Sequence, residues 1–450
     1  MQFDLKKWWA LDEAMEAESA DNPLAPVTAD QRQDTTPMLA LAFGWGFLIT
    51  GLIAGGQIGS GLSFWPDFIL ATFAGNAINF VIGALVAYIA YKTACNSGLL
   101  YQFVYGRVGV YLPVIFVALL LTGWQAIIVG AFGFTFAQSF DSPLFYGVAI
   151  FGGLLFTATA YFGVKGIEKV SLPSVIVLVL VGLYAAYLNV DKAGGISAFL
   201  AISKETAAKT PMSFPAAVNL AVGSWIVGAV VMAEYARFAK KAWVAIAIPF
   251  IVMIVAQWFL QIVGAMGSVV SGSPDFTTYL LTQGMVVAGL GIIGMSLALW
   301  TTGNANLYLP AIQTAAVMRR PKRVMVVIWG LLGTILGLGL YQYFLDWINL
   351  LAALVPPLVG PLIVDYYLVH RGRYDARDLP RLHQWNWAAI ASYVAGASFA
   401  FMHSKGFLTL PEVFIPSLFG LLVSMGSYAL ICGVAALTNK KVGYRSVSDG

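Results

Sequence analysis

Charge is scarce in this chain. Asp, Glu, Lys and Arg make up 10% of its 450 residues, against about 25% in a soluble domain, so a water-facing globular surface is excluded. Cysteine and histidine are rarer still, at two and three residues. Cys95 and Cys432 are not expected to form a disulfide, and His370, His383 and His403 lack metal-ligand spacing and read as structural or solvated. Hydrolase nucleophile elbows and phosphate-cradling glycine motifs are absent, and the longest loop on the side away from the termini, residues 191–213, is too short for a domain. No enzyme is expected.

What the chain has instead is apolar length: 59% of it is hydrophobic. Runs of about 20 residues, enough to cross a bilayer as a helix, recur throughout. Twelve spans result: 38–58, 68–91, 112–137, 144–163, 171–190, 214–235, 242–267, 284–309, 324–344, 348–369, 385–404 and 413–437. The segments sharing the N-terminal side hold 21 Lys and Arg, in runs such as "RFAKK", "RRPKR" and "HRGRYDAR", and the opposite loops hold four: Lys192, Lys204, Lys209 and Lys405. By the positive-inside rule both termini are cytoplasmic, and a bacterial inner (plasma) membrane is the expected location. The net charge of +4 is that bias and calls for no nucleic acid. Residues 1–37 form a polar tail with a short amphipathic stretch at "KKWWALDEAM", and 438–450 a second tail.

Five spans followed by five more place the second set upside down relative to the first, the arithmetic of an inverted repeat. The first repeat is 38–190, the second 191–370, with spans 11 and 12 in 371–437. Transporters built this way bind substrate near the bilayer middle, on helices interrupted in corresponding spans. Span 1 carries Gly44, Gly46, Gly51, Gly55 and Gly56, and span 6 carries "VGSWIVGAVVMAEYARFAKK". Glycine weakens a helix by about 1 kcal/mol relative to alanine, so breaks are expected there. The competing reading is that these glycines serve close helix packing.

Span 8 holds an unusual polar stretch, "LALWTTGNANLYLP", Leu297 to Pro310. On a helix Thr301, Asn304 and Tyr308 share one face, and Thr302 and Asn306 an adjacent one. Hydroxyls beside the carbonyls of a broken helix offer neutral oxygen ligands for a hard cation. The alternative is local: threonines bond back to the preceding turn and asparagines link helices. In span 3, Trp124 and Gln125 lie mid-span, away from the interfacial belt. With Ser224 and Trp225 of span 6 they describe a pocket for a flat heterocycle with hydrogen-bonding edges, although Trp225 is equally well a packing residue.

"GLSFWPDFILATFAGN", the "GW" of span 3, "VGSWIVGAVVMAEYARFAKK", "LWTTGNANLY" and "LVPPLVGPLIVDYYLVHRGRY" together resemble the nucleobase:cation symporter family, most closely its cytosine and purine permease branch. The resemblance implies an all-α membrane protein with the leucine-transporter-like fold, twelve helices, and import of a nucleobase-like ring with a cation. It carries sodium ligation to the carbonyls of Gly44, Phe47 and Ala298 and the hydroxyls of Thr301 and Thr302. Substrate contact falls to Leu48, Trp124, Ser224, Trp225, Gly228, Gly303 and Asn304, beside which Trp45, Gln125 and Asn306 are further candidates. Cytosine permeases usually carry Asn-Asp where this chain has Gly303 and Asn304, so the ring edge recognised is expected to differ.

Sodium is expected over a proton because no Asp, Glu, Lys or His lies in the central parts of spans 1, 3, 6 or 8. Glu234 and Asp365 sit near cytoplasmic span ends, where Arg237 and Arg371 are the expected partners. Proton coupling stays as the alternative. So do a symporter for hydantoin, allantoin or a vitamin-precursor pyrimidine, an amino-acid transporter of the same fold, and a channel or scaffold.

Overall fold

The computed structural model describes residues 25–162, 167–273, 285–411, 413–438 and 442–444. The amphipathic stretch expected in the N-terminal tail lies outside them. Span 1 is two helices, α1 (Thr35–Gly46) and α2 (Thr50–Gly59), bent by 46°. A π-helical turn at Phe64–Phe68 leads into α3 (Ile69–Thr93), followed by short α4 (Ser97–Tyr105). Spans 3, 4 and 5 are α5 (Tyr111–Ala137), α6 (Pro143–Phe162) and α7 (Ile167–Lys192), and α8 (Ile196–Lys209) crosses to the second set. There span 6 is split into α9 (Phe214–Val230) and α10 (Ala233–Ala236), and span 7 into α11 (Ala242–Pro249) and α12 (Trp258–Ser271) around a π segment. Spans 8 and 9 are α13 (Met285–Met318) and α14 (Lys322–Gly337); span 10 is α15 (Phe344–Leu354) and α16 (Pro356–Val364); spans 11 and 12 are α17 (Trp387–Ser404) and α18 (Pro416–Leu437). Among the described residues, seven helical stretches are long and apolar enough to cross a membrane, or eight with the bent pair counted as one.

Two boundaries differ from the sequence reading. Span 9 ends at Gly337, and span 10 begins at Leu340 with a 3-10 turn rather than at 348. Asp346, which reads as a break in the sequence, is an exposed acid in the first turn of α15, where a helix N-terminus favours it. Span 8 runs through Pro310 to Met318, nine residues beyond the expected end.

Packing follows a symmetric rule. α2 lies along α12 and α9 lies along α3, so the first span of each set packs on the second span of the other set. Spans 3, 4, 8 and 9 pack on one another as a separate group, and spans 11 and 12 pack on each other and on α16. This is the arrangement of two interlocked five-span units.

The glycines of span 1 have a different role from the expected one. A Cβ at Gly55 would lie 2.1 Å from the Gln261 carbonyl oxygen, and one at Gly264 would lie 2.1 Å from that of Leu52. They let α2 and α12 touch backbone to backbone, as small residues do in membrane bundles. The break falls elsewhere, at Phe47 to Ile49, and Gly44 and Gly46 are still inside α1.

On the face that carries the N-terminus, residues 27–34 run across the ends of spans 2, 6 and 7. Val27 donates to the Ala94 carbonyl, Gln33 donates to Phe238, and Arg32 donates to the carbonyls of Ala239 and Tyr91. Lys240 and Asp34 pair at 2.8 Å on the surface.

Candidate functional site

The interruption of span 1 releases backbone oxygens. Phe47 makes the last helical bond of α1, to Phe43, and Gly51 donates to Leu48 rather than to Phe47. The Phe47 carbonyl is thereby freed from the ladder, and Leu48 lies buried within the unwound turn. One released oxygen is already taken: the Gln257 side-chain amide of span 7 donates to the Gly46 carbonyl at 2.7 Å.

Span 6 breaks at Val231 and Met232, seven residues past Ser224. Ser224 is inside α9, where its hydroxyl donates to Ala221 and accepts from Gln261 at 3.1 Å. Gln261 in turn accepts from Asn76 at 2.6 Å, and Asn79 donates to the Val222 carbonyl at 3.0 Å. A buried amide network therefore fastens spans 2 and 7 to spans 1 and 6. Asn79 ties span 2 to the continuous part of α9, whereas Gln257 holds a carbonyl at the span 1 break itself. Sequence reasoning missed these four amides, although polar side chains in the middle of apolar runs are the available signal.

The aromatic residues of the site gather round the two breaks. Trp45 meets Trp225 edge to face at 5.1 Å and Tyr235 at 4.5 Å; such a pair contributes about 1 kcal/mol beyond its burial. The Trp225 indole lies over the backbone of Gly228, where a Cβ would come within 2.4 Å of the ring. Trp124 packs edge-on against Phe344 of α15 at 6.0 Å, and Trp347 covers the neighbouring Gly123. Span 10, which supplies no residue in the sequence-derived set, thus closes this side of span 3.

Span 8 separates its two polar faces cleanly. The Thr301 hydroxyl donates to Ala298, two members of the expected cation set bonded to each other. Asn304 accepts from Thr159 of span 4 at 2.8 Å and donates to Trp300, and Tyr308 stacks on Tyr235 with the Lys322 ammonium 4.4 Å above its ring. That face is engaged. On the adjacent face Thr302 and Asn306 are buried, and neither the Thr302 hydroxyl nor the Asn306 amide nitrogen has a hydrogen-bond partner among the described residues. Gln125 of span 3 is fully buried next to Gly303, with both amide atoms unpartnered. An unmet buried polar group costs about 1–3 kcal/mol. Unmet buried polar groups occur elsewhere too, at Asn189 and Ser417 among others; Gln125, Thr302 and Asn306 are the ones that coincide with expected site residues on spans 3 and 8, where a bound species could supply the missing partners.

The ionisable groups Glu234 and Asp365 are also engaged. Glu234 is buried and accepts from the Ser97 backbone at 3.0 Å, and the buried Arg237 donates to the Glu234 carbonyl. Asp365 differs from expectation: its partners are Tyr428 at 2.7 Å, Tyr374 and His370 rather than Arg371. Arg371 has a left-handed backbone in the turn just beyond, so the tyrosines and the histidine fill the space around the carboxylate. His370 and His403 each place both ring nitrogens against protein groups, as structural histidines do. Cys95 and Cys432 are free thiols. Beyond the centre, on the face opposite the N-terminus, a cavity of about 640 Å³ lies between spans 6, 10, 11 and 12, lined by Asn219, Asp346 and Lys405 among others.

Comparison with known proteins agrees with this architecture. The cytosine permease of Escherichia coli strain K12 is 29% identical over 380 residues, covering 84% of this chain and 88% of its own. The hydantoin permease of Microbacterium maritypicum is 26% identical, covering 86% and 85%. The inward-facing structure of Mhp1 superposes with a TM-score of 0.77 at 22% identity, over 92% of this chain and 94% of that one. Mhp1, a nucleobase-cation-symport-1 family transporter, has also been solved in a closed conformation with bromovinylhydantoin bound. The family model described as permease for cytosine/purines, uracil, thiamine, allantoin matches residues 26–422. The chain therefore belongs to that permease family: it is an integral membrane transporter of the nucleobase class, not an enzyme.

Proposed function

We propose that this protein imports a small planar heterocycle together with Na+, by alternating access, with both termini in the cytoplasm. The unpartnered Gln125 amide carries the reading. A side chain offering a donor and an acceptor side by side matches a ring whose edge offers the reverse pair, as the ring amides of hydantoin and uracil do. The indoles of Trp45, Trp124 and Trp225 offer flat apolar surface against which a ring would stack. On the ion side, the released Phe47 carbonyl, the Ala298 carbonyl and the Thr301 and Thr302 hydroxyls are neutral oxygen donors, with Gly44 one helical turn before the break. Such a set suits a hard monovalent cation and offers no proton acceptor.

The departure at Gly303 and Asn304 favours a ring edge different from the one cytosine permeases read. The test is uptake of radiolabelled cytosine, uracil, hydantoin and allantoin into proteoliposomes. Accumulation of at least one ring above its external concentration, only with an inward sodium gradient, is expected. Accumulation driven by a pH gradient without sodium would overturn the ion assignment. Equilibration without accumulation would indicate a channel.

A further inference from the structure

The helix α4 belongs to no span and holds no residue of the site, yet it reaches three spans, 6, 8 and 10. Its two tyrosines, Tyr101 and Tyr105, are four residues apart on one face, both buried, with ring centroids 6.0 Å apart. In an unbroken helix the Val230 carbonyl would accept from Glu234. Here the Glu234 N–H goes to Val231, and the Tyr101 hydroxyl donates to the Val230 oxygen at 3.2 Å instead. Four residues on, the Tyr105 hydroxyl donates at 2.7 Å to the Leu358 carbonyl in α16, just past the interruption of span 10. Two further contacts fix α4 itself. Ser97 at its start donates to the Glu234 carboxylate at 3.0 Å, and Gly98 lies against Ala316 and the Gln313 backbone of span 8.

We propose that α4 is a coupling element, in which Tyr101 and Tyr105 are positioning residues that hold the inner segments of spans 6 and 10 in one relative position while access alternates. Membership of the transporter family is all this requires, not the identity of the ring or the ion. A carbonyl freed by a helix break needs a donor wherever it moves in the membrane. A donor on a rigid helix that also grips the second interrupted span makes the two inner segments travel together.

The test needs no ligand. Spin labels are placed at K240C and L368C, exposed sites at the inner ends of spans 6 and 10, in the full chain carrying C95A and C432A, reconstituted in lipid nanodiscs. A control pair, L119C and L331C, reports on spans 3 and 9 from exposed positions. Tyr101→Phe and Tyr105→Phe each remove one hydroxyl and keep the ring. The distance distribution between 240 and 368 is expected to widen about twofold, or to split, in either variant, with the control pair unchanged. An unchanged 240 to 368 distribution in both variants overturns the proposal, and so does equal widening of the two pairs, which would mean general loosening. Melting temperatures are measured first. If either Tyr variant fails to fold, Glu234→Gln, which weakens the hold on Ser97, is read by the same two pairs against the same outcomes.

Discussion

At Gln125 the requirements of stability and of function diverge. Its amide is buried without partners, so Gln125→Leu replaces two desolvated polar atoms by apolar ones of similar bulk and is expected to stabilise the ligand-free protein by about 1–3 kcal/mol. The same change is expected to abolish the thermal stabilisation that a bound ring confers. Differential scanning fluorimetry with and without hydantoin or uracil reads both effects; a destabilised variant that still responds to the ring would show that Gln125 has only a packing role. Ser224→Ala tests the reverse case. The hydroxyl holds Gln261 within the amide network, so its loss is expected to cost about 1–3 kcal/mol of stability by leaving a buried amide short of a partner. Ring affinity in the surviving fold should stay within a few-fold if the network is its whole role, and a large selective loss of affinity would show that Ser224 contacts the ring.

At the scale of the element, the sequence shows that span 1 and span 6 are special, and glycine content is the wrong reason for it. The glycines of span 1 are spaced to receive span 7, a tertiary fact that composition cannot distinguish from helix breaking. Gly55→Ala is therefore expected to destabilise by about 1–3 kcal/mol through overpacking, since its Cβ would meet the Gln261 backbone at 2.1 Å; an unchanged melting temperature would show that α2 and α12 can separate freely. The actual breaks, at Phe47 to Ile49 and Val231 to Met232, fall in apolar stretches and are held by partners distant in sequence, Gln257 and Tyr101. In span 8 the helical spacing does separate two polar faces. Which face is satisfied by neighbours depends on Thr159 and Tyr235, so it is legible only once the helices are assembled. Span 10 was recognisable as a motif, but its placement of Phe344 and Trp347 over span 3 required the fold.

For the whole molecule, charge and apolar length were enough to read a helical membrane protein, and the motif order was enough to read the family. The sequence does not reveal how the C-terminal segment is anchored. Tyr444 accepts from His370 through its carbonyl at 2.9 Å and donates to Asp378 through its hydroxyl at 2.5 Å. Burial alone would push the His370 imidazole down, but the hydrogen bond and negative charge of Asp365 outweigh it and hold its pKa above the ordinary 6.5. A group whose folded pKa is raised stabilises fully below its unfolded value, and that contribution is lost as the pH rises through the folded value. Thermal stability is thus expected to fall as pH increases above 6.5, and His370→Gln should flatten that slope. A slope unaltered in the variant would assign the titration to another group.

The central claim is that ion and ring share one centrally buried site completed by the unmet Thr302 hydroxyl of span 8. Calorimetric titration of a recognised ring into the purified protein, with and without saturating Na+, tests it in wild type and in Thr302→Ala. Sodium should tighten ring binding about tenfold or more in wild type, the usual size of a coupling free energy, and should leave the variant's affinity nearly unchanged. An identical sodium effect in the two proteins would contradict the account.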